Sequence, residues 1–451
     1  MLTTITYIVA RISESSTILS NFLIILNSSG FGKHFRTGFF DFIMNDVNYI
    51  SSLIDYINCR ECNTLKDNNY YINYIHDTMA YISHYMCNKG TEFEKYYSKG
   101  VELYDADKNV LTSKDIKQFY NGLDIKYKPA ENPKFTFIDL FAGIGGFRLA
   151  MQEYGGKCVF SSEFNPNAKK TYLYNFGEVP FGDITQASTK DIIPDNFDIV
   201  CGGFPCQAFS IAGLRKGFED TRGTLFFDVA DIIRKHQPKV AFLENVRNLE
   251  NHDNGKTFEV IRNTLSELGY TVYHKVMNAA VYGNIPQHRE RIIIVAFNNE
   301  KVKNHTDFKF PDPIELTKNI HDCIDSDKKA EKYYYRENQR YYQQLIKDMT
   351  NPDTVYQWRR TYCRGNKSNQ CPTLTANMGG GGHNVPLILT EYGIRKLTPK
   401  ECLNFMGYPN DYTFPDSISE SAKYMQAGNS VVVPMMSRVA KQIVKVLYPE
   451  Q

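Results

Sequence analysis

Phe197-Asp198-Ile199-Val200-Cys201-Gly202-Gly203-Phe204-Pro205-Cys206-Gln207 is the stretch from which the fold can be read. Its first five residues form a short apolar run stopped by paired glycines, the pattern of a buried strand. Cys206 then stands at the carboxyl end of a strand, where open α/β sheets bind their ligands. Pro205 fixes its own φ and drives Phe204 towards an extended conformation, so the thiol is presented on a stiff turn. Such a thiol suits a nucleophile, and a structural cysteine is the plain alternative, since free cysteine is commonly buried. The neighbours bear on the choice, because an activated thiol needs an acid, a cation and a second substrate close by.

Outward from this stretch, the chain from Phe135 alternates strand and helix signals. Residues 135–140 read as a strand, Gly143-Ile144-Gly145-Gly146 as a tight turn, and residues 147–153 as the start of a helix. A glycine turn feeding a helix lets backbone N–H groups approach a ligand, although this one departs from the G-x-G-x-x-G dinucleotide pattern. A second strand, residues 157–162, ends at Glu163, about twenty residues past the glycines, where a doubly wound fold grips ribose hydroxyls. A helix-capping acid before Asn165-Pro166 is the alternative. Asp183 adds a carboxylate at the expected end of a third strand. No P-loop lysine follows the glycines, which disfavours a nucleoside triphosphate and leaves an adenosine-containing cofactor.

Beyond Cys206, residues 208–224 are polar and glycine-punctuated, with the length of a mobile lid; a plain surface loop is the alternative. A helix at 225–235 leads to a buried strand at 240–243, which ends at Glu244-Asn245-Val246. An acid in such a cleft can have its pKa raised by desolvation and so donate a proton near neutrality. An amphipathic helix at 257–268 and a strand at 272–277 follow. Gln287-His288-Arg289-Glu290-Arg291 then opens another strand, and its two arginines, one residue apart on extended backbone, point to the same side. Both are expected to face the cleft, unless they form an edge-strand ladder with Glu290.

Composition sets the bounds. The chain has 451 residues, 23% charged and 42% hydrophobic, the balance of a soluble globular protein of two or three domains. A net charge of +2 advertises no polyanion partner globally, so a nucleic-acid surface must come from local clusters of Lys and Arg. The 10 irregularly spaced cysteines, with no secretory signal before them, read as reduced thiols of a cytosolic protein, and no apolar run reaches membrane length. Residues 1–130 carry patches of helical periodicity and are expected to form a separate, mainly helical module. Cys59-x-x-Cys62 with His76, His84 and Cys87 lacks zinc spacing. Asp105, Asp107 and Asn109 imitate a calcium loop but meet Val110 and Ile116 where Gly and Glu belong, so no metal site is expected. Lys126-Tyr127-Lys128-Pro129-Ala130-Glu131-Asn132-Pro133 is the expected linker.

Taken together, these motifs resemble the DNA (cytosine-5)-methyltransferase family in that family's own order. The likeness spans about residues 135–447 and rests on Asp139-Leu140-Phe141-Ala142-Gly143-Ile144-Gly145-Gly146-Phe147, Glu163, Asp183, Gly203-Phe204-Pro205-Cys206-Gln207, Glu244-Asn245-Val246 and Gln287-His288-Arg289-Glu290-Arg291. Near the end it includes Arg395-Lys396-Leu397-Thr398-Pro399-Lys400-Glu401-Cys402 and Gly428-Asn429-Ser430-Val431-Val432. Phe164 stands where many members have Trp, and His288 where Lys is common.

The resemblance implies an α/β fold of the S-adenosylmethionine-dependent methyltransferase kind, a Rossmann-like, doubly wound, mostly parallel sheet. It divides the chain into an extension (1–130), a catalytic and cofactor-binding domain (134–300), a small target-recognition domain (301–394) and a segment completing the catalytic domain (395–451). It implies Cys206, Glu244, Arg289 and Arg291 as the catalytic set. Phe141, Ala142, Gly143, Ile144, Gly146, Glu163, Phe164, Asp183, Ile184, Pro205, Leu225, Asn429, Ser430 and Val431 would hold S-adenosylmethionine, with S-adenosylhomocysteine as product. Gln207, Ser210, Arg359, Arg360, Arg364, Thr373 and Thr375 would contact double-stranded DNA. The target base must leave the stack to react, and the 208–224 lid is placed to close behind it. A monomeric, cytoplasmic bacterial enzyme is implied, with a restriction endonuclease acting on the same sequence without binding it.

The run from Thr354 to Thr390 contains no acid but carries Arg359, Arg360, Arg364 and Lys367 among Tyr356, Trp358 and Tyr362, which suits phosphate and base-edge contacts. Three rivals fit less well. A tRNA cytosine-5 methyltransferase would carry Pro-Pro-Cys-Gln and Cys-Phe-Thr signatures, which are missing. A DNA-binding regulator would need a recognition helix in the extension. A nicotinamide dehydrogenase would need neither Cys206 nor the paired arginines.

Overall fold

The strands read from the sequence assemble into one central sheet, buried on both faces at its centre and half-exposed along the edge formed by residues 270–278. In the computed structural model, which describes residues 125–205, 225–379 and 384–449 together with part of a helical stretch at 80–88, strands β1 (Phe135–Leu140), β2 (Gly156–Ser162), β3 (Ile199–Gly203), β4 (Val240–Val246), β5 (Tyr270–Asn278) and β7 (Glu290–Asn298) form it. The order is β2-β1-β3-β4-β7-β5; β2, β1, β3 and β4 run parallel, while β7 pairs antiparallel with both β4 and β5. Val240–Leu243 of β4 and Ile292–Phe297 of β7 are wholly buried. Successive strand residues face opposite sides, so both faces of the sheet are covered, and this is why these runs are continuously apolar rather than alternating.

The connecting helices are α1 (Gly146–Gln152), α2 (Pro166–Phe176), α3 (Ala187–Lys190), α4 (Leu225–His236), α5 (Lys256–Glu267) and α6 (Ala279–Gly283). Asn165 caps α2, its Oδ1 accepting from the N–H groups of Asn167 (3.0 Å) and Ala168 (3.1 Å), with Pro166 at the first helical position. Glu163 is therefore not the cap. The expected third strand before Asp183 is reduced to a single bridge, Ser162 to Phe181.

Residues 125–414 and 418–451 cluster as one unit. After β7 the chain forms β6's partner and a second sheet: β6 (Gln287–His288) pairs in parallel with β10 (Cys371–Pro372), while β8 (Tyr356–Arg359), β9 (Tyr362–Gly365), β11 (Leu387–Thr390) and β12 (Gly393–Lys396) make an antiparallel sheet ordered β12-β11-β8-β9. Helix α7 (Tyr342–Asp348) lies with it, its Leu345 sharing a small core with Tyr356, Cys363, Leu387 and Ile394. Helices α8 (Pro399–Asn404), α9 (Glu420–Asn429) and α10 (Val433–Leu447) close the chain. Helix α10 turns Met435, Met436, Val439, Ala440 and Ile443 into the core, where it meets α1 and α6.

One buried polar cluster was not foreseen. Arg148 Nη1 lies 2.9 Å from Glu178 Oε1, and Ser161 Oγ donates to the same oxygen, with Tyr172 and Asp139 alongside. Burial holds the Asp139 carboxyl well above the ordinary carboxylate range, against the pull of Arg148. The folded chain thus keeps a proton that the unfolded chain releases near pH ~4, so stability falls as pH rises through that interval. Asp139→Asn is expected to unfold at higher denaturant than the parent at pH 8 and to lose that advantage near pH 4. Equal midpoints at both pH values would show that the carboxyl is ionised in the fold.

Most of the extension, with its Cys59, Cys62, His76 and Asp105 motifs, lies outside the described residues, as do Cys206, Gln207, Ser210 and the 208–224 segment. Among the described residues no helix is long and apolar enough to cross a membrane, and no group of three His, Cys, Asp or Glu side chains is arranged to hold a metal ion.

Candidate active site

Strand order reverses between β1 and β3, so a crevice opens at their carboxyl ends. The β1 end turns sharply there: Phe141 and Gly143 both take left-handed backbone (φ +53° and +54°), and Gly145, at φ +78°, precedes α1. Gly145 and Gly143 are glycines for different reasons. A Cβ on Gly145 would fall 2.2 Å from the Phe176 ring, whereas one on Gly143 would meet nothing nearer than 3.9 Å, leaving that side open to a ligand.

At the β2 end, Glu163 is buried and accepts from the N–H groups of Gly143 (2.8 Å, Oε2) and Asn165 (2.7 Å, Oε1). Burial raises its carboxyl pKa, while those two donors pull it down. Phe164 next to it leaves 72% of its surface in water. Asp183 is exposed, its Oδ1 accepting from the Thr185 N–H at 2.9 Å, and Ile184 beside it is buried. A fixed carboxylate, an uncovered aromatic face and an open glycine, all at strand ends, fit an adenosine moiety by the chemistry of the groups themselves. Ala142, Ile144 and Val431 are buried, and Gly146 abuts Val431 so closely that a Cβ there would sit 2.6 Å from it. Asn429 is exposed at the end of α9, and Ser430 follows, buried. Pro205 is exposed at the β3 exit, and Leu225 opens α4 half-buried.

The second half of the crevice lies across β3, β4 and β7. Gly203 and Glu244 are register partners, as are Val246 and Arg291. Arg291 Nε stands 2.8 Å from Glu244 Oε1, and both side chains are largely buried. Asn245, to which the sequence reading gave no role, donates from Nδ2 to the Phe204 carbonyl at 2.8 Å, and so fixes the backbone two residues before Cys206. Its place inside the Glu244-Asn245-Val246 motif was the available signal.

Arg289 does not share the place of Arg291. It is buried, and its guanidinium donates to the carbonyls of Leu374 (2.7 Å), Gly428 (3.1 Å) and Ser430 (2.7 Å). The two-residue alternation was sound for a continuous strand, but Arg289 falls between β6 and β7 rather than within either. Gln287 works alongside it: wholly buried, it donates to the Phe405 carbonyl (2.5 Å) and accepts from Leu374 N–H (3.2 Å). Thr373 donates to the His288 carbonyl at 2.6 Å, and Thr375 is exposed. Beside Arg291 a cleft of about 320 Å³ is lined by Val246, Arg247, Asn248, His288 and Thr373, among others. Arg359, Arg360 and Arg364 are exposed on the β8–β9 hairpin, apart from this lining.

The parallel-dominated, doubly wound sheet with this crevice has the S-adenosylmethionine-dependent methyltransferase fold. Solved structures with the same fold include that of S. pombe Dnmt2 methyltransferase (19% identity, TM-score 0.53, covering 70% of this chain and 99% of that one). The family model for C-5 cytosine-specific DNA methylase matches residues 135–445. Type II methyltransferase M.Bsp6I of Bacillus sp. (strain RFL6) is 50% identical over 311 residues, 68% of this chain and 97% of its own. Type II methyltransferase M.HpaII of Haemophilus parainfluenzae is 44% identical over 350 residues, 71% of this chain and 93% of its own. The chain belongs to the C-5 cytosine-specific DNA methylase family, and its activity is transfer of a methyl group to carbon 5 of cytosine in DNA. Enzymes of this family draw that methyl group from S-adenosylmethionine.

Proposed function

We propose that methyl transfer here proceeds through a covalent adduct of Cys206 with a cytosine swung out of the duplex. The cytosine C5 is a poor nucleophile. Addition of the Cys206 thiolate to C6 breaks the C5–C6 double bond and pushes electron density onto C5. The observation that carries this reading is the Glu244–Arg291 pair at 2.8 Å, one strand away from the β3 exit that leads to Cys206. Glu244 holds the ring nitrogen beside the exocyclic amine, and Arg291 holds the carbonyl oxygen, so charge developing on the ring meets fixed partners. Asn245 steadies the Phe204 carbonyl and thereby the approach of the thiol. Arg289 acts as a positioning residue, holding the 373–375 segment and the 428–430 turn at the crevice. Loss of the C5 proton to a base then re-forms the double bond, and the C6–S bond breaks to release Cys206.

The cofactor supplies an electrophilic methyl group. Glu163 would take its ribose, Phe141 and Phe164 would flank its adenine, and Asp183 with Ile184 would meet the adenine edge. Gly143 and the turn from Asn429 to Val431 would accept the amino-acid end, with Ala142, Ile144, Gly146, Pro205 and Leu225 shaping the walls. Gln207 and Ser210, on the expected lid, and Thr373 and Thr375 would touch the DNA around the vacated position, and residues 301–394 would carry target recognition. The Type II names of the relatives support a protective methylase of a restriction-modification system; we read it as acting as a monomer, with an endonuclease cutting the same sequence. Bisulfite sequencing of DNA from cells expressing the chain is expected to show protected cytosines at one short recurring sequence. DNA with no protected cytosine would overturn this reading.

A further inference from the structure

The hairpin of β8 and β9 has two unlike faces. In register, Trp358 opposes Cys363, Gln357 opposes Arg364 and Arg359 opposes Tyr362. Alternation sends Tyr356, Trp358 and Cys363 inward, where Trp358 meets the Tyr341 ring at 4.5 Å and the Cys363 N–H donates to Asp348 Oδ2 at 2.7 Å. The opposite face carries Gln357, Arg359, Tyr362 and Arg364, and the last three are exposed. Arg359 Nη2 donates to Gln357 Oε1 at 2.9 Å, which holds that guanidinium extended along the face. No acid occurs from Thr354 to Thr390 to neutralise it. The two-residue tip places Arg360 at φ +27°, a backbone that a glycine would adopt without strain.

Resting on the methylase reading above, we propose that this outer face enters the major groove of the target duplex and that Arg359 and Arg364 each read a guanine there. A two-stranded ribbon fits that groove, and a guanidinium fork matches guanine O6 and N7 as no other base edge. The two arginines lie on adjacent strands, offset by two residues or about 7 Å along the strand direction. Two steps of stacked bases span about the same length, so one short site can satisfy both.

The test uses the full chain, a duplex library with randomised flanks around cytosine, and bisulfite reading of the products. The parent enzyme is expected to require guanine at two positions. Arg359→Ala relaxes one of them and Arg364→Ala the other, each by about 5- to 150-fold in discrimination. Arg359→Lys and Arg364→Lys relax the same positions, because an ammonium keeps the charge but not the fork. Alanine variants that keep the parental preference, or that lose rate equally on every sequence, overturn the assignment while leaving the methylase reading intact. A parent enzyme that methylates no duplex overturns both.

Discussion

Cys206→Ser is expected to lower methyl transfer by at least about 10⁴-fold, the scale on which removing a covalent nucleophile acts. A serine hydroxyl at the same position stays protonated near neutrality, whereas a thiol is within reach of its thiolate, the form that attacks. Binding of duplex DNA and of cofactor should persist, since the change replaces one sulfur atom by an oxygen and leaves every other side chain in place. Tritium transfer from labelled cofactor measures the first effect, and fluorescence anisotropy of a labelled duplex measures the second. A duplex bearing 5-fluorocytosine adds a positional readout. Fluorine at C5 cannot leave as a proton does, so the adduct persists, and peptide mapping should find it on Cys206 alone. Turnover within tenfold of the parent, or an adduct on another residue, would refute the assigned nucleophile.

Glu401→Ala is expected to destabilise the fold by roughly 3–5 kcal/mol, the cost of stranding a buried charge. Arg395 and Glu401 are both 1% exposed, and their two guanidinium nitrogens meet the two carboxylate oxygens at 2.6 and 2.7 Å. The same carboxylate accepts from the N–H groups of Thr398 (2.7 Å) and Asp325 (2.9 Å). Thr398 Oγ1 in turn accepts from the Glu401 N–H, completing a capping box at the start of α8. One side chain thus ties the 325 region, the end of β12 and a helix start. Arg395→Met with Glu401→Leu should recover part of the loss, because no charge is then left unpaired. Chemical denaturation of the full chain checks both. A single-variant loss below about 1 kcal/mol would show that the pair is replaceable by water.

Much of the central sheet was legible because its inner strands are buried on both faces. Runs such as Val240–Leu243 and Ile292–Phe297 admit only that reading once glycines, prolines and amphipathic helices punctuate them. The turn after β1 was legible for a like reason, since glycines there answer to backbone angles and close contacts. The strand before Asp183 was over-read. The run Val179-Pro180-Phe181 is short and its proline has no N–H to give, so it makes one bridge to Ser162 and no ladder.

Long-range partners were not legible. Arg289 and Arg291 look alike in sequence, one residue apart, yet one donates to three backbone carbonyls from distant segments and the other pairs with Glu244. The difference lies in a break between β6 and β7, set by pairing with Cys371 and Pro372 more than eighty residues on. Arg148 was likewise passed over, because a cation in a helix reads as solvated until Glu178 is seen beneath it.

Local sequence therefore determined the strands, the glycine turn and the order of the motifs, since each depends on patterning and backbone sterics within a few residues. Tertiary structure decided which polar groups meet. A buried charge is tolerated only beside its partner, and for Arg148, Arg289 and Arg291 that partner lies tens of residues or more away, beyond what a local pattern encodes.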